Sequence, residues 1–172
     1  MTSQQGQVPS WAVQPQSWPL WAGFPRLYRF DGGDGQFYLG SEPKGGELSM
    51  QVFLHRWVEG VARWGNPPQA YLDLAFVDDA GAVSVLSLKK DSALNLWEFL
   101  LSLKLTSHEA IDPAAVRVRV IAGEMDGARG VFWTLEQHDW DFVEFQEFRD
   151  VQQFRQSRQF RWGQIGLVEV NG

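Results

Sequence analysis

YLDLAFVDDAGAVSVLSL, at residues 71–88, is the stretch from which the fold of this chain follows. Its two halves, Tyr71–Val77 and Ala82–Leu88, are rich in the β-branched, aromatic and leucine residues that fill strands. Between them lies Asp-Asp-Ala-Gly, in which glycine accepts a positive φ and aspartate hydrogen-bonds its own backbone. The stretch therefore predicts an antiparallel β-hairpin.

A helix is predicted directly after this hairpin. Asp91 and Ser92 are good N-cap residues, and they precede a long apolar block. The large side chains of the block recur at helical spacing, which predicts a buried helix over Ser92–Lys104. The residues expected to face the sheet are Leu94, Trp97, Leu100, Leu101 and Leu105.

Two further strands are predicted beyond the helix. Ala115–Ala122 alternates apolar and polar side chains, as a half-buried strand does. A turn at residues 125–127 then leads into a second β-rich run, Gly130–Gln137. The central part of the chain thus reads strand, strand, helix, strand, strand.

The segment Glu47–Trp64 admits two interpretations. As a helix, it would present a stripe of Met50, Phe53, Leu54, Trp57 and Val61. As a strand, it would place Phe53 and Trp57 on its polar face, where burial in a core is a weaker explanation. The strand is favoured because Gly60 permits a bend and the next elements are all β.

The remaining segments flank this body. Residues 1–35 are predicted to form an irregular extension containing Trp11 and Trp18, and residues 36–148 a β-domain that starts with a short strand at Gln36–Gly40. Residues 140–148 fit a strand or a helix, with phenylalanines at every third position slightly favouring the helix. A basic and aromatic extension, residues 149–172, ends in a predicted strand at Gln164–Val170.

Composition narrows the function classes. The chain has no cysteine, which excludes disulfides, thiolate metal sites and cysteine catalysis, and it shows neither a signal peptide nor a membrane-spanning run. We therefore expect a cytoplasmic protein. The three histidines are isolated in sequence, and no catalytic or phosphate-loop motif is present, so we expect neither an enzyme nor a metal or other cofactor.

Aromatic and basic residues provide the stronger functional signal. The chain has nine tryptophans and twelve phenylalanines, and single-stranded nucleic acids bind by stacking bases on such rings while Lys and Arg contact the phosphates. The candidate stacking residues are Phe53, Trp57, Tyr71 and Phe132, and the candidate phosphate contacts are Arg56, Arg63, Lys89, Lys90, Arg117 and Arg119. Possible accessory contacts are Arg155, Arg158, Arg161 and Trp162. The alternative is that these residues are ordinary core aromatics and solvated strand faces.

Charge is distributed unevenly along the chain. Residues 47–148 contain eight basic and sixteen acidic residues, whereas residues 149–172 contain four arginines and two acidic residues. The net charge of −6 therefore belongs to the central body, and the C-terminal stretch is locally basic.

The order of elements resembles that of an oligonucleotide-binding (OB) fold: a five-stranded barrel with one buried helix between its third and fourth strands. The resemblance, over about residues 36–148, implies a single-stranded-DNA-binding protein with its groove across the second and third strands. It points to Phe53, Trp57, Tyr71, Lys89, Arg117 and Arg119 as contacts. OB-type binders often assemble, so we expect a homo-oligomer, with Gln36–Gly40 and Gln164–Val170 as edge strands for pairing.

Two other classes of function stay open on the sequence alone. A carbohydrate-binding β-barrel would use exposed tryptophans to stack on sugar rings. An assembly or adaptor protein would dock partners through the tryptophan-rich N-terminus and the Arg/Phe-rich C-terminus.

Overall fold

The computed structural model describes residues 25–105 and 110–167 and is mainly β. The strands are β1 (Arg26–Asp31), β2 (Gln36–Leu39), β3 (Glu42–Pro43), β4 (Glu47–Val61), β5 (Gln69–Val77), β6 (Val83–Leu88), β7 (Val116–Gly127) and β8 (Gly130–Phe142). The helices are α1 (Lys90–Leu105) and α2 (Phe145–Ser157), with short 3₁₀ turns at Pro113–Ala115 and Trp162–Ile165. None of the helices within these ranges is long and apolar enough to cross a membrane.

The eight described strands form one curled sheet, a half-barrel, in the order β3-β2-β1-β6-β5-β4-β7-β8. Neighbouring strands are antiparallel except β1 and β6, which are parallel. The curl brings the β1–β2 turn next to β8, where Trp133 N donates to Gly32 O at 2.8 Å. The β1–β2 turn and the last strand of the sheet therefore meet at this contact.

The sheet buries side chains on both faces. Its inner face packs on α1 through Leu72, Leu74 and Phe76 of β5, and this core includes residues from seven strands. Its outer face carries a smaller core, in which Val151 and Phe154 of α2 cover β4, β5 and β6. The central strands are consequently apolar on both sides.

The predicted helix is confirmed, but its predicted buried face is only partly right: Leu100 is buried and Trp97 packs half-buried on the core, whereas the other three expected residues are exposed. Ala93, Leu96, Phe99, Leu100 and Leu103 face the inner core. Of the side chains expected there, Leu94, Leu101 and Leu105 are exposed by 47%, 38% and 81%. The helix is apolar almost all round, so spacing alone supports two different stripes.

The strand interpretation of the ambiguous segment is confirmed, and so are its predicted faces as far as Phe53, where a β-bulge reverses the faces of the residues that follow. β4 pairs Val52 with Phe76 and Leu54 with Ala75, so Phe53 has no partner in the ladder. Phe53 is buried in the outer core, whereas Trp57 packs on the inner core. One extra residue changes which side of the sheet the following side chains face, until a second register shift between Val58 and Val61.

The ends of the chain differ from the predictions in three places. Residues 26–31 form β1 and do not belong to an irregular extension. β2 pairs with β1 on one side and with β3 on the other, so it is not an edge strand. Residues 162–165 form a 3₁₀ turn, which replaces the start of the strand predicted at Gln164–Val170. Trp11, Trp18 and residues 168–170 of the predicted final strand lie outside the described residues.

The contact between the β1–β2 turn and β8 requires glycine at position 35, because a side chain there would clash with Trp133. The φ of Gly35 is +73°, and a Cβ there would lie 2.5 Å from Cδ2 of Trp133. Gly40 also has a positive φ, +64°, but open space around it. We expect Gly40→Ala to cost about 1 kcal/mol of unfolding free energy through backbone strain alone, and Gly35→Ala about 1–3 kcal/mol more through the clash. Urea unfolding measures the unfolding free energy of both variants. Equal losses of free energy would contradict the close packing of Gly35 on Trp133.

Candidate functional site

A buried carboxylate organises the outer face of the sheet. Asp73 of β5 has no exposed surface, and its oxygens accept hydrogen bonds from Arg56 Nε at 2.9 Å, Arg63 Nη1 at 2.6 Å and Ser87 Oγ at 2.6 Å. Arg56 is on β4, Ser87 is on β6, and Arg63 follows β4. A single side chain thus connects three adjacent strands and the loop between two of them.

The protonation of Asp73 follows from these contacts. Burial by itself would raise the pKa of the carboxyl group, but the hydrogen bonds from Arg63, Ser87 and Arg56 outweigh burial and hold the pKa below its ordinary value. Asp73 is therefore ionised at neutral pH. With two arginines and one aspartate, this cluster has an excess of one positive charge.

Arg63 extends the cluster towards an exposed aromatic residue. Its guanidinium lies 4.7 Å from the ring centroid of Tyr71 and 5.8 Å from that of Trp64, and the two rings meet edge to face at 5.8 Å. Trp64 is 60% exposed and has a left-handed backbone with φ of 50°. Arg63 and Tyr71 thus pack against one side of the Trp64 ring, and the other side faces solvent.

Two adjoining cavities form a groove beside Trp64, which we call the β1–β6 groove. The first, of about 370 Å³, is lined by Trp64, Asn66, Tyr71, Lys89 and part of β1. The second, of about 600 Å³, lies between the end of β6, the start of α1 and β8, and its walls include Lys90, Phe132 and Trp133. Both cavities share Phe30, Gly32, Ser87 and Lys89, so they lie side by side.

The charge of the groove comes mainly from two lysines. Lys89 and Lys90 are exposed, and neither forms an ion pair with a residue that the structure describes. Arg29 also lines the groove, but it pairs with Asp31 at 3.5 Å and lies over the Tyr38 ring. Asp91 adds one acidic group near Lys90. The groove combines flat aromatic rings with two ammonium groups available to an anion.

The structure brings four of the predicted contact residues together and separates the others. Tyr71, Lys89, Lys90 and Phe132 all line the groove. Trp57 lies elsewhere, packed on Trp97 at 5.5 Å with its Nε1 donating to Glu59.

Several predicted contacts are already occupied within the protein. Phe53 is buried against Phe154 and Phe160. Arg119 forms two hydrogen bonds with Asp139 and one with Glu47. The other occupied side chains are those of Arg56, Arg63, Arg117, Arg155 and Trp162.

Sequence reasoning missed Trp64 and Phe30 as groove residues. Trp64 was treated as the end of a strand, although the next residues are Gly-Asn-Pro-Pro, which indicate a loop. A large aromatic residue in such a loop is a useful signal, because loops on a rigid scaffold often carry binding residues. Phe30 had no comparable signal, since its position depends on the pairing of β1 with β6.

The comparisons with known proteins do not assign this chain to a family: no family model matches it, and no curated protein is significantly similar to it. Among residues 25–105 and 110–167, no group of three or more His, Asp or Glu side chains is arranged to hold a metal ion. The inference of function therefore depends on the groove itself.

Asp73→Asn tests the buried cluster. It leaves two buried guanidinium groups without a counter-charge, so we expect a loss of about 3–5 kcal/mol of unfolding free energy at pH 7. Because the folded pKa of Asp73 is depressed, its ionic stabilisation is complete above the unfolded pKa of about 3.9 and is lost as the pH falls through the folded value. The difference in unfolding free energy between wild type and variant should therefore become smaller below about pH 4.

Asp79→Asn is the matched control, because the Asp79 side chain is 71% exposed and its contact with Arg117 is long, at 3.8 Å. Urea unfolding across pH measures both variants. If the loss of unfolding free energy in Asp73→Asn did not change with pH, the ionised Asp73 would not be what stabilises the cluster.

Proposed function

We propose that the protein binds single-stranded nucleic acid, most simply single-stranded DNA, in the β1–β6 groove. The observation that supports this best is the combination, along two adjoining cavities, of exposed or half-exposed aromatic rings with two lysines that have no ion-pair partner among the described residues. Aromatic rings bind bases of any sequence, because every base has a π face, while ammonium groups contact phosphates. The proposed binding is therefore not sequence-specific.

The stacking surface would start at Trp64. Its exposed ring is supported by Tyr71 and Arg63, so little side-chain freedom is lost when a base stacks on it. Phe132 and Trp133 would contact bases at the other end of the groove, and Lys89 lies in the wall common to both cavities.

The position of the groove agrees with the OB resemblance. β4, β5, β6, β7 and β8 correspond to the five expected strands, and they are neighbours in the order β6-β5-β4-β7-β8. OB folds bind oligonucleotides with the face of their second and third strands and with the loops after their first and fourth strands. Here Tyr71 and Ser87 belong to the second and third strands, and Trp64 to the loop after the first.

This proposal replaces several of the contacts expected from the sequence. We assign binding to Trp64, Lys89, Lys90 and Phe132, and not to Phe53, Trp57, Arg56, Arg117 or Arg119, whose side chains have intramolecular partners. Tyr71 is buried, at 1% exposure, so it supports Trp64 and does not contact a base. Assembly into a homo-oligomer stays a prediction. Among the described strands, β8 lies at the edge of the sheet, but its Trp133 and Leu135 backbone groups already bond to Gly32, Ser92 and Asn95. Only the rest of this edge could pair between subunits.

Trp64→Ala tests the stacking surface. We expect it to weaken binding of labelled oligo-dT by about 5- to 150-fold, which corresponds to about 1–3 kcal/mol for one stacked base. Fluorescence anisotropy at low salt measures the affinity. Trp140→Ala is the matched control, because Trp140 is 36% exposed on β8 but does not line the groove. Equal effects of the two substitutions would exclude the groove as the binding surface.

Lys89→Ala combined with Lys90→Ala tests the phosphate contacts. Each phosphate contact on a single strand makes the slope of log affinity against log salt more negative by about 0.7. The double variant should therefore make this slope less steep by about 1.4. Lys104→Ala at the far end of α1 should leave it unchanged. The proposal fails if the folded wild-type protein does not bind oligo-dT at low salt.

A further inference from the structure

A third cavity, of about 360 Å³, lies between the bulged part of β4 and the C-terminal segment. Phe53 and Leu54 line it from β4, and Arg155 lines it from α2. The residues after α2 complete it with Arg158, Phe160 and Arg161. We call this the C-terminal pocket. The β1–β6 groove shares none of these residues.

The three arginines of the pocket have different roles. Arg155 is held in place by Asp112 at 2.6 Å and by the carbonyl oxygen of Phe53 at 3.2 Å. Arg158 and Arg161 are exposed, and neither has an ion-pair partner among the described residues. In a protein with a net charge of −6, the pocket thus concentrates two uncompensated positive charges.

The apolar wall of the pocket does not favour stacking of bases. Phe53 is only 3% exposed, and it meets Phe154 and Phe160 edge to face, at interplanar angles of 85° and 72°. Phe160 also contacts Trp162 at 5.0 Å. Leu54, which is 37% exposed, is the aliphatic surface beside the arginines. A ligand would therefore meet Leu54 and the half-exposed Phe160 beside the arginines, and no aromatic ring as exposed as Trp64.

We propose that the C-terminal pocket binds an acidic peptide segment of a partner protein that carries a hydrophobic side chain next to its carboxylates. Carboxylates accept hydrogen bonds from the planar guanidinium groups of Arg158 and Arg161 in a geometry that lysine does not offer. The hydrophobic side chain fits against Leu54. Charge complementarity selects an acidic segment, and neither aromatic ring of the pocket is as exposed as Trp64, so stacking of bases is less favoured there.

The pocket is physically connected to the Asp73 cluster. Trp162 lies between them, with its ring 5.0 Å from that of Phe160 and 4.7 Å from the guanidinium of Arg56. Arg56 in turn contacts Asp73. The pocket is therefore built on the same rigid face as the groove but opens at a separate site.

The test uses a fluorescein-labelled peptide of about ten residues, mostly aspartate with one central phenylalanine. The full-length wild-type protein should bind it in a salt-sensitive manner, as measured by anisotropy. A peptide with alanine instead of phenylalanine should bind more weakly, and one with lysine instead of aspartate should not bind.

Arg158→Asn combined with Arg161→Gln should weaken peptide binding by about tenfold or more, because two charge-assisted contacts are lost. Asparagine tolerates the left-handed backbone of residue 158, where φ is 57°, and the backbone N–H of residue 161 keeps its bond to Gln164. Arg149→Gln removes an arginine from the exposed surface of α2, away from the pocket, and as a control it should leave the affinity unchanged.

Unlabelled oligo-dT provides the decisive competition. If the peptide occupies the C-terminal pocket, oligo-dT should not displace it, and the double variant should still bind oligo-dT. Displacement of the peptide by oligo-dT, together with loss of oligo-dT binding in the double variant, would assign the pocket to nucleic acid and overturn the proposal. Absence of peptide binding, or equal affinity in the double variant and in Arg149→Gln, would also overturn it.

Discussion

The buried carboxylate of Asp73 is the constraint on which the outer face of the protein depends. A charge without exposed surface is tolerated only when it is paired and hydrogen-bonded, so Arg56, Arg63 and Ser87 must stay where they are. Arg63 then supports Trp64 at the groove, and Arg56 supports Trp162 beside the C-terminal pocket. Both candidate binding surfaces thus depend on the same ionic cluster, although they open at different sites.

The curvature of the sheet creates the groove itself. β1 and β6 are parallel and end side by side, while the curl brings β8 towards the β1–β2 turn. The space between these elements is lined by Lys89, Phe132 and Trp133, which are far apart in sequence. A closed barrel of five strands would have no room for β1 at this edge. The additional strands therefore shape the site as well as extending the sheet.

The charge pattern has a consequence for binding strength. The central body is acidic, with eight basic and sixteen acidic residues in 47–148, and most described arginines are paired with carboxylates of the same chain. The long-range attraction that usually dominates non-specific nucleic-acid binding is correspondingly weak. Under the proposed function, stacking has to provide most of the affinity, and the unpaired cations at the groove and the C-terminal pocket act locally.

The sequence by itself determined the strands β4 to β8, the helix α1 and the turn between β5 and β6, because alternation, helical spacing and turn chemistry are properties of neighbouring residues. It also included Tyr71 and Lys89 among the candidates that the groove unites. Only the tertiary structure decided which way the side chains face. The bulge at Phe53 reverses the faces of β4, and the partners of Arg119 lie 72 and 20 residues away. Such contacts depend on long-range pairing of strands, which no local pattern encodes.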